Sequence, residues 1–252
     1  VSDMTLLIDC GNTRCKISRL LTDGLLAPVT AIALDAQDFI AQLKTQVNFD
    51  VENKQCYFAS VASAEINSSI ESVLVSAGFI FTRVKTQAQA LGVRIAYPNP
   101  QQLGVDRFLG LLAVHQTKKS ALIVSVGSAL TVDVLQADGK HRGGMITATE
   151  TIIHNAMENR FANFRNLSGL PLGFSDNTAD ALASGARYMV LGIIEKTWRE
   201  ASQLLNEPAL PLLITGGDSA ALLPHLPDNT VYRPMLVLEG LALLASHPEN
   251  PY

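Results

Sequence analysis

Cysteine is scarce in this chain, with only Cys10, Cys15 and Cys56 among 252 residues. An odd count without metal-ligand spacing argues against a disulfide framework and against a thiolate metal centre, and the histidines form no cluster that would replace one. Reduced, buried thiols are the expectation. Net charge is also thin: 19 Lys and Arg stand against 23 Asp and Glu, leaving −4 at pH 7. Such a balance gives no electrostatic footprint for nucleic acid, and no basic amphipathic stretch points to a membrane surface. Small molecules are the expected partners. Low-complexity segments are absent. The apolar run between Asp3 and Asp9 is short, so the start of the chain reads as a strand rather than a signal peptide, and a cytoplasmic location is expected.

What the chain does contain is one short pattern written twice. An apolar run breaks into glycine and small hydroxyl residues at Leu6-Leu7-Ile8-Asp9-Cys10-Gly11-Asn12-Thr13, and again at Leu122-Ile123-Val124-Ser125-Val126-Gly127-Ser128-Ala129-Leu130-Thr131-Val132-Asp133. In each copy a buried-type strand reaches Gly two residues after a polar position, so the backbone can turn sharply and present N–H groups and hydroxyls to an anion such as phosphate. The first copy adds a carboxylate suited to magnesium, Asp9, and a cation suited to phosphate oxygens, Lys16. With 48% hydrophobic residues the chain can bury one large core or two modest ones, and the repetition favours two. A nucleotide clamped between two similar halves is the resulting expectation.

Residues 4–9 and 16–20 flank the Gly11-Asn12 turn as a β-hairpin. Helical spacing covers 38–47 and 66–77, with a buried strand over 55–61 between them, as in an α/β layer. From 91 to 103 the pattern dissolves around Tyr97-Pro98-Asn99-Pro100, whose prolines stop helix and sheet alike. An apolar helix resumes over 107–116, and the second hairpin starts at Ala121, so the boundary between halves falls near 117–120. After Gly143-Gly144 the pattern predicts a helix over 151–164, a loop over 168–177 and a long helix over 180–204. The first half of that helix has little polar face, which suits burial or a dimer interface. A last strand over 210–214 ends in Thr215-Gly216-Gly217-Asp218, and an apolar helix over 236–245 follows.

A single Asp-x-Gly turn also occurs as ordinary hairpin punctuation. Three Gly-rich turns after strands together describe a nucleotide cleft and resemble the actin-like ATPase and sugar-kinase superfamily. Gly104-Val105-Asp106-Arg107, preceded by Tyr97 in its proline loop, resembles the substrate motif of type III pantothenate kinases. The resemblance continues through the first phosphate motif at 9–16, the second at 125–133, Gly143-Gly144 with Ile146, and Asn177-Thr178-Ala179-Asp180-Ala181 to Gly185. It closes with Thr215-Gly216-Gly217 and Leu236-Val237-Leu238-Glu239-Gly240-Leu241. It implies an α/β fold of two ribonuclease-H-like halves, 1–117 and 118–252, with the nucleotide cleft between them. The activity it implies is phosphorylation of pantothenate from ATP at the start of coenzyme A biosynthesis, by a homodimer. On the same resemblance Asp9 positions magnesium, and Asp9, Cys10, Gly11, Asn12, Thr13, Arg14, Cys15, Lys16 and Ser128 form the ATP site. Tyr97, Gly104, Val105, Asp106, Arg107 and Thr178 form the pantothenate site, Thr178 reaching it from the dimer interface.

The residues fit that chemistry on their own terms. A primary alcohol is a poor nucleophile at neutral pH, so a carboxylate within reach of its proton helps as the bond to phosphorus forms, and Asp106 is the candidate base. Arg107 offers a planar, permanently charged fork suited either to pantothenate's carboxylate or to developing phosphoryl charge. Adjacency does not choose between them. Plainer readings stand beside these: Asp106-Arg107 as a helix N-terminus with a solvated arginine, Tyr97 as a loop aromatic capping the core, Thr178 as a helix N-cap.

Two departures from the family pattern touch the ATP half. The family's second phosphate motif begins with an aspartate associated with a monovalent cation and continues Gly-Thr, whereas this chain has Ser125 and Ser128. Ser128 keeps a hydroxyl for phosphate. Ser125 removes a charge from the potassium or ammonium position. Pro-Gly, usual after the Gly-Gly pair, is replaced by Thr147-Ala148-Thr149-Glu150. Two alternatives follow: a catalytically weakened regulatory or accessory protein of the same fold, and a kinase for another small hydroxy acid.

Overall fold

The structure, a computed structural model, describes residues 4–48 and 53–247; Asp3 lies outside them. The chain forms two compact units. In the first, strands β1 (Met4–Cys10), β2 (Arg14–Leu20), β3 (Thr30–Ala33), β4 (Lys54–Ser60) and β5 (Ile80–Arg83) make one sheet in the order β3-β2-β1-β4-β5. β1 and β2 are antiparallel around the first Gly turn, with Asp9 opposite Lys16 and Cys10 opposite Cys15, and β4 runs parallel to β1. Helices α1 (Phe39–Val47) and α2 (Ala64–Ser76) cover one face, the second started by Ser63, whose Oγ accepts the Ile66 N–H. Leu6, Ile8, Cys10, Cys15, Ile17, Cys56 and Phe58 point into that core with Phe39, Leu43, Ile70 and Leu74. Period-two alternation therefore turns Asp9 and Lys16 to the opposite face.

The segment expected to dissolve between 91 and 103 holds more order than its prolines suggest. It carries half of a tight hairpin, β6 (Gln89–Ala90) with β7 (Val93–Arg94), then a 3-10 turn at Pro100–Gln102 capped by Asn99. Helix α3 (Val105–His115) follows and is buried on almost every side.

In the second unit, β8 (Ala121–Val126), β9 (Leu130–Leu135), β10 (His141–Thr147), β11 (Leu212–Thr215) and β12 (Val231–Tyr232) form a sheet in the order β10-β9-β8-β11-β12. It repeats the first sheet's plan of an antiparallel hairpin beside parallel strands. Leu122, Val124, Val126, Leu130 and Val132 bury one face with Val190 and Ile194 of α5 (Thr178–Leu205). Helix α4 (Glu150–Arg160) stops short of the predicted 164, the chain tightening into a 3-10 turn over Ala162–Phe164. α5 starts two residues earlier than its apolar pattern, and its cap is Asn177, whose Oδ1 accepts the Asp180 N–H at 3.0 Å. Thr178 is the first helical residue and not the cap.

The last helix, α6 (Leu236–Ala245), groups with the first unit, as does the turn Asp138–His141, so the compact units are not separated by one cut near 117. The reason is packing. α6 lies on α3 and on β1 and β4, crossing α3 where Gly110 meets Leu236 and Gly240 meets the Leu109 carbonyl. α3 and α6 thus cover the face of the first sheet that carries Asp9.

Candidate functional site

The constellation in the first unit starts from Asp9. The residue is half-buried at the end of β1, and desolvation pushes its pKa from 3.8 up to about 7; Lys16, its partner across the hairpin, pulls the other way, and Asp106 adds to the rise. Asp106 acts on Asp9 because α3 packs on that face of the sheet and begins with Val105, Asp106 and Arg107. Two carboxylates and a lysine therefore share one place. A cation between them would relieve both the burial and the like-charge repulsion, which suits magnesium held by one or two carboxylates with phosphate oxygens completing its shell. No group of three or more His, Cys, Asp or Glu side chains that could hold a metal ion occurs among the described residues.

The turn itself is less open to an anion than its glycine suggests. The Gly11 N–H closes the turn onto the Arg14 carbonyl at 2.9 Å, leaving exposed Asn12, Thr13 and Arg14 as the residues that face outward. Cys10 and Cys15 are buried in the α1/α2 core, and their thiols are part of its packing. Any part they take in holding phosphate is confined to backbone.

Gly104, at the cap position of α3, leaves room for a close approach. A Cβ there would lie 2.5 Å from Asp106 Oδ1, so the carboxylate occupies the space a side chain would fill. Gly104→Ala is expected to displace that carboxylate, lowering kcat roughly ten- to hundredfold while the melting temperature moves by a few degrees at most; steady-state kinetics beside a thermal melt checks this. Val105 is buried, so only its backbone faces the site.

Arg107 is not the solvated neighbour of an ordinary helix start. It is 7% exposed, donates from Nη1 to the Tyr97 hydroxyl at 3.3 Å, and holds its guanidinium 5.8 Å from the Tyr97 ring centre. A buried arginine costs several kcal/mol unless it is well satisfied, so its retention here is informative. Behind Tyr97 stands a residue that motif reading missed. His141 stacks on the ring, 6.1 Å between centroids with planes 6° apart, and its Nδ1 accepts the Ala96 N–H at 3.4 Å. Nothing in the sequence beyond its place two residues before Gly143-Gly144 marks it.

The second unit holds the remaining predicted residues. Ser128 is exposed at the tip of the β8–β9 turn, where the Gly127 N–H bonds the Ala129 carbonyl at 3.1 Å. Ser125 pairs with Thr131 on one side and Thr215 on the other, so three hydroxyl residues lie in a row across β9, β8 and β11. Buried Asp133 is two residues along β9 from Thr131, on the same face. Gly216 adopts φ +100°, and a Cβ there would sit 2.2 Å from the Val126 carbonyl, so Thr215-Gly216-Gly217 packs directly on the end of β8. The segment 147–150 makes a short strand-to-helix connection, with Glu150 starting α4 and bound to Arg187 Nε at 2.5 Å. Thr178 is exposed at the start of α5.

A family model described as type III pantothenate kinase matches residues 5–200. A type III pantothenate kinase of Stenotrophomonas maltophilia is 39% identical over 241 residues, covering 96% of this chain and 97% of that one. One from Xylella fastidiosa is 38% identical over 247 residues, covering 97% and 98%. Among solved structures, a Baf family transcriptional activator of Campylobacter jejuni superposes with a TM-score of 0.59 at 20% identity, over 98% of this chain and 100% of that one. A ROK family glucokinase of Streptomyces griseus, solved with glucose and AMPPNP, gives 0.52 at 12% identity over 96% and 98%. These two share the fold.

Proposed function

This chain belongs to the type III pantothenate kinase family, and from that membership we propose how its residues divide the phosphorylation of pantothenate by ATP, the first step of coenzyme A biosynthesis. The observation that supports the reading most is the convergence of Asp9, Lys16 and Asp106 on the α3 face of the first sheet. Asp106 accepts the proton of the pantothenate hydroxyl as its oxygen attacks the γ-phosphorus; the bond from that phosphorus to the β–γ bridging oxygen breaks, and ADP leaves with the electron pair. Arg107 and Tyr97 bind pantothenate, the guanidinium fork meeting its carboxylate. Asn12, Thr13, Arg14, Lys16 and Ser128 hold phosphate oxygens. When bound beside Asp9, magnesium neutralises phosphate charge; the protein's own work is positioning and charge balance. A coupled assay for ADP release from ATP and pantothenate tests the reading. Turnover absent with pantothenate but present with another hydroxy acid would leave the fold and overturn the substrate.

The protein acts as a homodimer. Leu170, Leu172, Phe174, Tyr188 and Met189 are large, exposed and apolar within the second unit, and exposed apolar side chains in this number suit an interaction site. A second copy is its proposed partner, and sedimentation as a fully active monomer would remove the idea. No described helix is long and apolar enough to cross a membrane; the proposed location is cytoplasmic, where the substrates of coenzyme A synthesis are.

Monovalent-cation dependence follows from Ser125. Potassium beside ATP phosphates needs several oxygen ligands, and an anionic one supplies most of the local attraction. Ser125, Thr131 and Thr215 contribute dipoles only. Either potassium stimulates wild-type turnover little, or a nearby lysine or a carboxylate such as buried Asp133 takes over the neutralising role; Ser125→Asp is expected to raise potassium stimulation several-fold, read as kcat against potassium at constant ionic strength. Tight, saturable activation of the wild type that Ser125→Asp leaves unchanged would show that other residues build the cation site.

A further inference from the structure

We propose that His141 is a positioning residue for pantothenate binding, setting the plane of the Tyr97 ring against which Arg107 is held. This rests on the kinase reading above. The loop that carries Tyr97 has no strand of its own: Pro98 and Pro100 lack N–H groups, and the segment is tied down one bond at a time. Ile95 N–H donates to the Ala88 carbonyl at 3.0 Å, Gln101 Nε2 to the Thr86 carbonyl at 2.8 Å, and Thr86 Oγ1 to the Leu103 carbonyl at 2.7 Å. Those bonds fix the two ends. The middle is fixed by the turn Asp138–His141, which docks alongside through a single parallel bridge between Arg94 and Lys140. Gly139 accepts the Arg94 N–H at 2.9 Å, Asp138 pairs with Arg94 at 3.7 Å, and His141 accepts the Ala96 N–H.

His141 is 1% exposed, and its ring lies nearly parallel to Tyr97. With Nδ1 accepting from Ala96, the imidazole plane is set by the backbone of the same loop whose aromatic ring it supports, so the stack leaves Tyr97 little freedom to rotate. Arg107 then meets a hydroxyl at a fixed place. Because Arg107 is buried, its fork cannot be re-aimed by solvent. A tilt of Tyr97 would transmit directly to the group that receives the substrate carboxylate. The residue acts through Tyr97 and touches no reacting atom.

The test is a set of substitutions assayed with both substrates. His141→Ala is expected to raise the pantothenate KM roughly three- to tenfold, the range of an aromatic pair, with the ATP KM within about twofold of wild type. His141→Phe keeps a flat ring and is expected to restore the pantothenate KM to within about twofold. His141→Asn keeps an acceptor for Ala96 without the ring and is expected to resemble His141→Ala. In a Tyr97→Leu background, His141→Ala should add nothing further. A purely structural role would lower the active fraction, hence kcat, and leave both KM values alone. An unchanged pantothenate KM in His141→Ala, or rescue by Asn and not by Phe, overturns the proposal; if His141→Ala fails to fold, the Phe and Asn variants decide it by the same contrast. A wild-type protein that does not phosphorylate pantothenate overturns the kinase reading and this inference together, whereas wild-type turnover with an insensitive His141 overturns the inference alone.

Discussion

Asp106→Asn is expected to lower kcat by roughly a hundred- to ten-thousand-fold, the usual cost of losing a general base, with the protein still folded. Asn is nearly isosteric and still fits the space left open by Gly104, so packing at the start of α3 is kept. It cannot take a proton. The carboxylate's favourable place near the positive end of the α3 dipole is lost, which costs about 0.3–1 kcal/mol, small beside the stability of a domain of this size. Single-turnover kinetics should show the chemical step slowed and the pantothenate KM little changed, because Arg107 and Tyr97 remain. Near-normal turnover would make Asp106 a helix-start residue or a binding group, and the base would have to be sought elsewhere. Since Asp106 also helps hold the Asp9 pKa up, the Asn variant is further expected to make Asp9 more acidic, readable by carbon-detected titration of the metal-free protein.

The elements that carry the chemistry were legible because they rest on local pattern. Both hairpins, α3 and the apolar C-terminal helix follow from alternation, glycine at the turn and helical spacing in continuous stretches. What escaped depends on partners distant in the chain. β6 and β7 are two residues each, and β7 is supported by Gly139, some forty-five residues on; no local signal encodes that. The burial of Arg107 was likewise invisible, because arginine after a helix-starting aspartate is ordinarily solvated, whereas here the guanidinium is 7% exposed and lies against Tyr97 of the preceding loop. The motif 9–16 named Cys10 and Cys15 along with their neighbours, yet strand alternation already separates them: Asp9 and Lys16 lie on one face, the thiols on the other. Period two, applied within the motif, distinguishes side chains that face a ligand from those that face the core. His141 shows the opposite limit. Its role depends on a ring stacked across a gap of more than forty residues, and a lone histidine in a strand carries no mark of that.

Asp9→Asn is expected to reduce kcat/KM by at least roughly a thousandfold at any salt composition, while leaving the metal-free protein as stable as wild type or more so. The loss in activity follows from charge: a neutral amide cannot favour a divalent cation beside the phosphates, and electrostatic stabilisation is the main thing a protein supplies to phosphoryl transfer. The gain in stability follows from the sign of the pKa shift. Burial and Asp106 outweigh the attraction of Lys16, so the net effect raises the Asp9 pKa to about 7. Between its ordinary value and about 7 the folded state binds more protons than the unfolded one, so stability falls as pH rises through that window and the deficit is complete above it. At about pH 8 without metal, an ionised Asp9 therefore weighs against the fold, and Asn removes that weight without changing the shape of the side chain. Thermal melts with a chelator should show an equal or higher melting temperature for the variant, and added magnesium with nucleotide should stabilise the wild type alone. A variant that melts well below wild type and loses activity only in proportion would assign Asp9 to the core, as a strand residue whose pairing with Lys16 holds the hairpin together. Turnover within tenfold of wild type would remove it from the phosphate site altogether.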